Sequence, residues 1–175
     1  MSGVLQLALV GQGPKNMLRD VAQAITEAFR IPGVSGAPLT HPQYALNPQR
    51  QQFHATAVLR RLSAQLLPEQ FGTLGVCDVD LFTPEAEFVY GEADRELRSA
   101  LISLKRLKVG ANPAQLTRRA QTEAIHEIGY LLGLSHCEDS HCVMFLSRST
   151  ADTDRKGMSL CNDCRHELAR LNKLP

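Results

Sequence analysis

His126-Glu127-Ile128-Gly129-Tyr130-Leu131-Leu132-Gly133-Leu134-Ser135-His136 decides how this chain is read. It closes the longest helical pattern in the sequence, which opens at Asn112-Pro113 and runs to about Leu132. Asn112 suits the N-cap, Pro113 the first helical position and Gly133 the C-terminal stop. Set against H-E-x-x-H-x-x-G-x-x-H, the string matches at His126, Glu127, Gly133 and His136. It departs at Tyr130, where the pattern asks for a middle His. Positions 126 and 130 share one helix face and can address one ion. Glu127 stands one step round, beside the water that such an ion would acidify, and can accept its proton for attack on a carbonyl. Gly133 permits a positive-φ turn that brings His136 back to the same ion. Three protein ligands and one open position is the arrangement of a catalytic zinc. A lone His-Glu pair is ordinary helix surface; the shared register of helix, glycine break and following His makes the metal reading.

Downstream, Cys137-x4-Cys142 and Cys161-x2-Cys164 form two close thiol pairs, the spacing of a four-cysteine zinc site. Its role is structural. Because His136 and Cys137 are adjacent, it would clamp the loop carrying His136 to the last helix, and binding contributes about 10 kcal/mol of folding free energy. His141 is an alternative ligand beside Cys142, though a solvated loop histidine is the simpler reading. Cys77 reads as a small buried side chain in a strand. His41, His54 and His166 have no partner at ligand spacing and read as surface or satisfied residues.

The chain has 175 residues, 43% of them hydrophobic, and 19 basic against 18 acidic side chains. That fits one domain with a core and gives no electrostatic case for nucleic acid or an anionic membrane. No apolar run reaches the roughly 18 residues of a membrane helix, and the N-terminus lacks the basic region of a signal peptide. The expected compartment is the cytoplasm, where clustered thiols point to metal rather than disulfides.

The spacing predicts strands over Val4–Val10, Thr73–Phe82, Glu87–Tyr90 (closed by Gly91) and Ala100–Leu107. It predicts helices over Asn16–Arg30, Phe53–Leu67 and Asn162–Leu174, with loop and room for a short strand over Ile31–Pro48 and a polar stretch over Ser147–Gly157. That order suits a mixed α/β (α+β) sheet with helical cover. Gly11-x-Gly13 reads as a strand-to-helix turn, since no Gly-Lys-Ser/Thr follows. Lys105-Arg106-Leu107-Lys108 reads as a solvated strand end.

Taken together, the two motifs resemble the archaemetzincin (archaelysin) family of metzincin zinc peptidases. The family pattern is H-E-x-x-H-x-x-G-x3-C-x4-C-x-M followed by C-x-x-C. Here it runs from His126 through Gly133, Cys137, Cys142 and Met144 to Cys161-x2-Cys164. Arg50-Gln51-Gln52-Phe53, Asp78-Val79-Asp80-Leu81-Phe82 and Phe88-Val89-Tyr90-Gly91-Glu92-Ala93 are similar to the family as well. The resemblance implies a twisted mixed sheet over an active-site helix, in one catalytic domain spanning 1–175. Its N-terminal subdomain, 1–133, would end with that helix; a helical C-terminal subdomain, 134–175, would be stapled by the four-cysteine zinc. It implies Met144 as a Met-turn beneath the catalytic metal, Phe88, Val89, Tyr90 and Gly91 as the edge strand of the substrate cleft, and a peptide or protein as substrate of a monomer.

Tyr130 leaves three outcomes open: a tyrosinate ligand, a weak site of two histidines and waters, or no catalytic metal, with the phenol filling the space. The weak or vacant site is favoured, because the phenol reaches further than an imidazole from the same backbone. The expectation is therefore a zinc metallopeptidase with Glu127 as general base and impaired activity. The alternative is an inactive peptide-binding module that keeps only the structural zinc. A zinc-ribbon nucleic-acid binder is disfavoured by the balanced charge.

Overall fold

The computed structural model describes residues 3–171. The elements that build the frame are β1 (Leu5–Val10), α1 (Lys15–Phe29), β2 (Gly33–Ser35), β3 (Leu46–Asn47), β4 (Gln52–His54), α2 (Ala55–Ser63), β5 (Gly72–Cys77), β6 (Leu81–Thr83), β7 (Ala86–Val89), β8 (Gly91–Asp94) and β9 (Ser99–Ser103). After them come α3 (Leu104–Leu107), α4 (Pro113–Leu131), α5 (Thr150–Arg155) and α6 (Asn162–Leu171). The larger sheet has the order β2-β1-β5-β9-β8, parallel except for the antiparallel edge β8. A smaller sheet has the order β3-β4-β6-β7.

β1, β5 and β9 are buried along their whole length. That is why they read as near-continuous apolar runs: helices cover both faces, as in parallel sheets generally. Leu5, Leu7, Leu74, Val76, Ala100 and Ile102 face α1 and α4, while Ala8, Val10, Cys77 and Leu101 face the other side with Val58, Leu59 and Leu62 of α2. Asn112 and Gln115 form a reciprocal capping box at the start of α4. No helix among the described residues is long and apolar enough to cross a membrane.

Several boundaries differ from expectation. The Thr73–Phe82 run is two strands in different sheets. Asp78 and Asp80 interrupt it: Lys108 Nζ lies 2.7 Å from Asp78, and Arg106 grips Asp80 with bonds of 2.6 and 2.8 Å. Those two cations come from what read as the end of a strand over Ala100–Leu107. Ser103 instead caps a helical turn there by accepting the Lys105 N–H. The Phe53–Leu67 pattern is shorter as a helix because Gln52–His54 pairs with β6 first. The polar stretch after Ser147 holds α5, which Ser149 caps by accepting the Asp152 N–H. Ile31–Pro48, read as loop with room for one short strand, contributes two, the edge strands β2 and β3. The part of the expected last helix beyond Leu171 lies outside the described residues.

Candidate active site and metal centre

The C-terminal half of α4 forms the floor of a cavity of about 470 Å³, into which His126, Glu127 and Tyr130 face. Gly133, at φ 107°, turns the chain as the glycine break predicts, and His136 returns to the same cavity. The His126 and His136 rings lie 5.4 Å apart, 25° from parallel. His126 is buried, with Nδ1 2.9 Å from the Val143 carbonyl oxygen. Burial, with Lys156 nearby, pushes His126 down to about 4; the same two causes lower His136. Burial raises Glu127 well above the carboxylate range, reinforced by Glu123 and Glu92, so it holds its proton more readily than a solvated Glu. A carboxyl that can take up and return a proton beside two imidazoles suits general acid–base work.

Met144 is fully buried under α4; a Cβ on Gly129 would lie 2.5 Å from its sulfur. It therefore packs against the helix between His126 and Tyr130. Phe88, Val89, Tyr90 and Gly91 line the cavity as expected, but not as one strand. Phe88 and Val89 end β7 in the small sheet, whereas Gly91 begins β8, the edge of the large sheet. The wall therefore joins two sheet edges. It is acidic: Glu85, Glu87 and Glu92 line it, against Arg148 as the one Arg or Lys side chain among the described residues. Burial, with Glu85 and Asp94, pushes Glu92 up to about 6.

Tyr130 is held from one side. The Arg95 guanidinium sits 4.2 Å from its ring centroid and donates to the Tyr130 and Leu134 carbonyl oxygens at 2.7 Å each. Arg95 thus caps a carbonyl in the last turn of α4, where a cation is favoured, and ties it to the Leu134 carbonyl beyond the Gly133 turn. The sequence did not single out Arg95, Glu123 or Lys156, and carried Glu92 only within the stretch similar to the family. Of the first three, Glu123 alone had a signal, lying one turn before His126 on the same face.

Cys137, Cys142, Cys161 and Cys164 converge, with all four sulfurs within 4.8 Å of one another. The Cys137 and Cys161 sulfurs are 3.8 Å apart. Zinc–sulfur bonds of about 2.3 Å in a tetrahedron imply a separation of about 3.8 Å, so the thiols fit a structural zinc. The Cys161 and Met144 N–H groups point at the Cys142 sulfur at 3.3 and 3.5 Å, and the Cys164 N–H lowers the Cys161 thiol. His141 is outside the cluster, with its exposed side chain 3.6 Å from Asp139. Among the described residues no other group of three or more His, Cys, Asp or Glu ligand atoms is close enough for one ion. The cleft offers two imidazoles and a phenol, one imidazole short of the three-ligand set.

The profile of Peptidase family M54 matches residues 18–170. The chain is 36% identical over 161 residues to the archaemetzincin of Aeropyrum pernix, covering 89% of this chain and 87% of that protein. It is 34% identical over 180 residues to that of Thermococcus kodakarensis, covering 95% and 96%. Among solved structures, the archaemetzincin of Methanopyrus kandleri superimposes with a TM-score of 0.86 at 29% identity, over 99% of this chain and 97% of that one. A zinc-dependent peptidase from Methanocorpusculum labreanum gives 0.82 at 28% identity, over 94% and 99%.

Proposed function

The chain belongs to Peptidase family M54, the archaemetzincins, and on that premise we propose that it is a zinc metallopeptidase in which Glu127 is the general base and Tyr130 leaves the catalytic metal weakly held or absent. The observation that carries this reading is the cleft itself: Glu127, His126 and His136 meet in one cavity, with the edge strands β7 and β8 forming its wall. A zinc bound there would acidify a water and polarise a peptide carbonyl. The chain's own residues do the rest. His126 and His136 would hold the ion, Glu127 would take and return the proton, and the β8 edge would align an extended peptide through main-chain hydrogen bonds. The four cysteines would hold the structural zinc.

A second reading, a cleft that binds peptide without cutting it, is favoured by Tyr130 alone. Cleavage of an unbiased peptide library separates the two. Tyr130→His is expected to raise cleavage by at least tenfold over the unmodified chain, and Glu127→Gln in that background to abolish it. No cleavage by Tyr130→His at any zinc concentration, with peptide still bound, would establish the second reading instead.

A further inference from the structure

Among the described residues, Lys156 is the largest fully buried side chain. A buried ammonium is tolerated only when paired and hydrogen-bonded. Here the Glu123 carboxylate oxygens lie 3.2 and 3.4 Å from Nζ, and Lys156 donates to the Phe145 carbonyl oxygen at 3.0 Å. Glu123 also accepts from the Ser147 and Thr153 hydroxyls at 2.8 and 2.9 Å. The network therefore joins α4, the 143–147 loop and α5 directly behind the cleft.

His126 sits on this network. Its Nδ1 is 3.5 Å from Lys156 Nζ and 2.9 Å from the Val143 carbonyl oxygen. A carbonyl oxygen can only accept, so Nδ1 carries the proton and Nε2 the lone pair. An ammonium cannot donate to a nitrogen already protonated, so Lys156 acts on the imidazole through its surroundings. It holds the Phe145 carbonyl of the loop that presents Val143, and it neutralises Glu123 one turn below His126.

We propose that Lys156 is the positioning residue for His126: by bracing the 143–145 loop against Glu123 it fixes the Nδ1–H tautomer and leaves Nε2 for the cleft. What Nε2 does there rests on the metallopeptidase reading; the tautomer does not. The same brace holds Met144 at the middle of the loop, beneath Gly129.

Long-range 1H–15N NMR of histidine-labelled protein, with the four-cysteine site loaded with zinc, tests this. His126 is assigned by comparison with His126→Asn. The unmodified chain is expected to show a single His126 form with protonated Nδ1 and bare Nε2. Lys156→Met is expected to give a mixture of tautomers, while the thiolate–cobalt absorption of the cysteine site is unchanged. Should Lys156→Met fail to fold with its Glu123 unpaired, Glu123→Gln/Lys156→Met removes both charges and carries the same readout. In a Tyr130→His background, Lys156→Met is expected to weaken the second zinc by roughly 10- to 100-fold. A protonated Nε2 in the unmodified chain, or a single Nδ1–H form in the folded variants, overturns the proposal. A Tyr130→His chain that takes no second zinc would overturn the reading of the cleft instead and leave the tautomer result standing.

Discussion

A methyl group on Gly91 would lie 2.6 Å from Glu127 Oε1 and 2.9 Å from the Leu101 carbonyl oxygen, so the missing side chain of Gly91 is the space in which the Glu127 carboxylate sits. The carboxylate could swing away; the Leu101 backbone, paired between two strands, cannot. Gly91→Ala is therefore expected to displace Glu127 and destabilise the chain by about 1–3 kcal/mol. Thermal melting and a crystal structure of the variant check this. An unshifted melting temperature with Glu127 in place would contradict it.

Arg95 is expected to stabilise the end of α4. Its hydrogen bonds to the Tyr130 carbonyl in the last turn and the Leu134 carbonyl after it, and its contact with the Tyr130 ring, are partly exposed, so Arg95→Met should cost about 1 kcal/mol. Arg95→Lys should not restore the loss, because an ammonium lacks the planar fork that reaches both carbonyls. Denaturant melts of the two variants distinguish these outcomes.

Removing one thiolate from the structural site should act on the whole fold rather than on the cleft. Cys161→Ser is expected to lose the structural zinc and several kcal/mol of stability. The α6 segment buries no residue fully: Cys161 and Cys164 tie its start to the cluster, and Leu168 and Leu171 pack partly buried against the core. Unchanged melting would remove the structural-zinc assignment.

Glu92 gives a pH dependence of known sign. Its folded value, about 6, lies above the ordinary 4.5 because burial, Glu85 and Asp94 disfavour the charged form. Its contribution to stability is complete below pH 4.5 and lost as pH rises through 6. After solvent screening the loss is on the order of 1 kcal/mol. Glu92→Gln should flatten that interval and raise the melting temperature at pH 7–8. An unaltered profile between pH 4.5 and 6.5 would rule out the shift.

The candidate ligand positions were legible because residues that could share an ion on one helix or one loop are held to short, fixed spacings. His126, Glu127, Gly133 and the four cysteines all fall under that constraint, and the structure brings each set together. Partners distant in sequence leave no such period. Glu123 and Lys156 pair across 33 positions, and nothing in the polar segment before Cys161 marks Lys156 as buried. The Thr73–Phe82 run looked continuous because apolar alternation carries on through Asp78 and Asp80; only Lys108 and Arg106 reveal the break. Gly91 read as a strand's end, whereas its smallness serves a carboxylate on α4. The α5 helix had one signal, Ser149 three residues before Asp152, and no apolar stripe to reinforce it.

The most direct test of the Tyr130 reading is a zinc count on folded, dialysed protein, beside the same count for Tyr130→His. The expected result is one zinc per unmodified chain, lost together with the fold on thiol modification, and two per Tyr130→His chain. Two tightly held zinc ions in the unmodified chain would contradict it and make Tyr130 a working ligand.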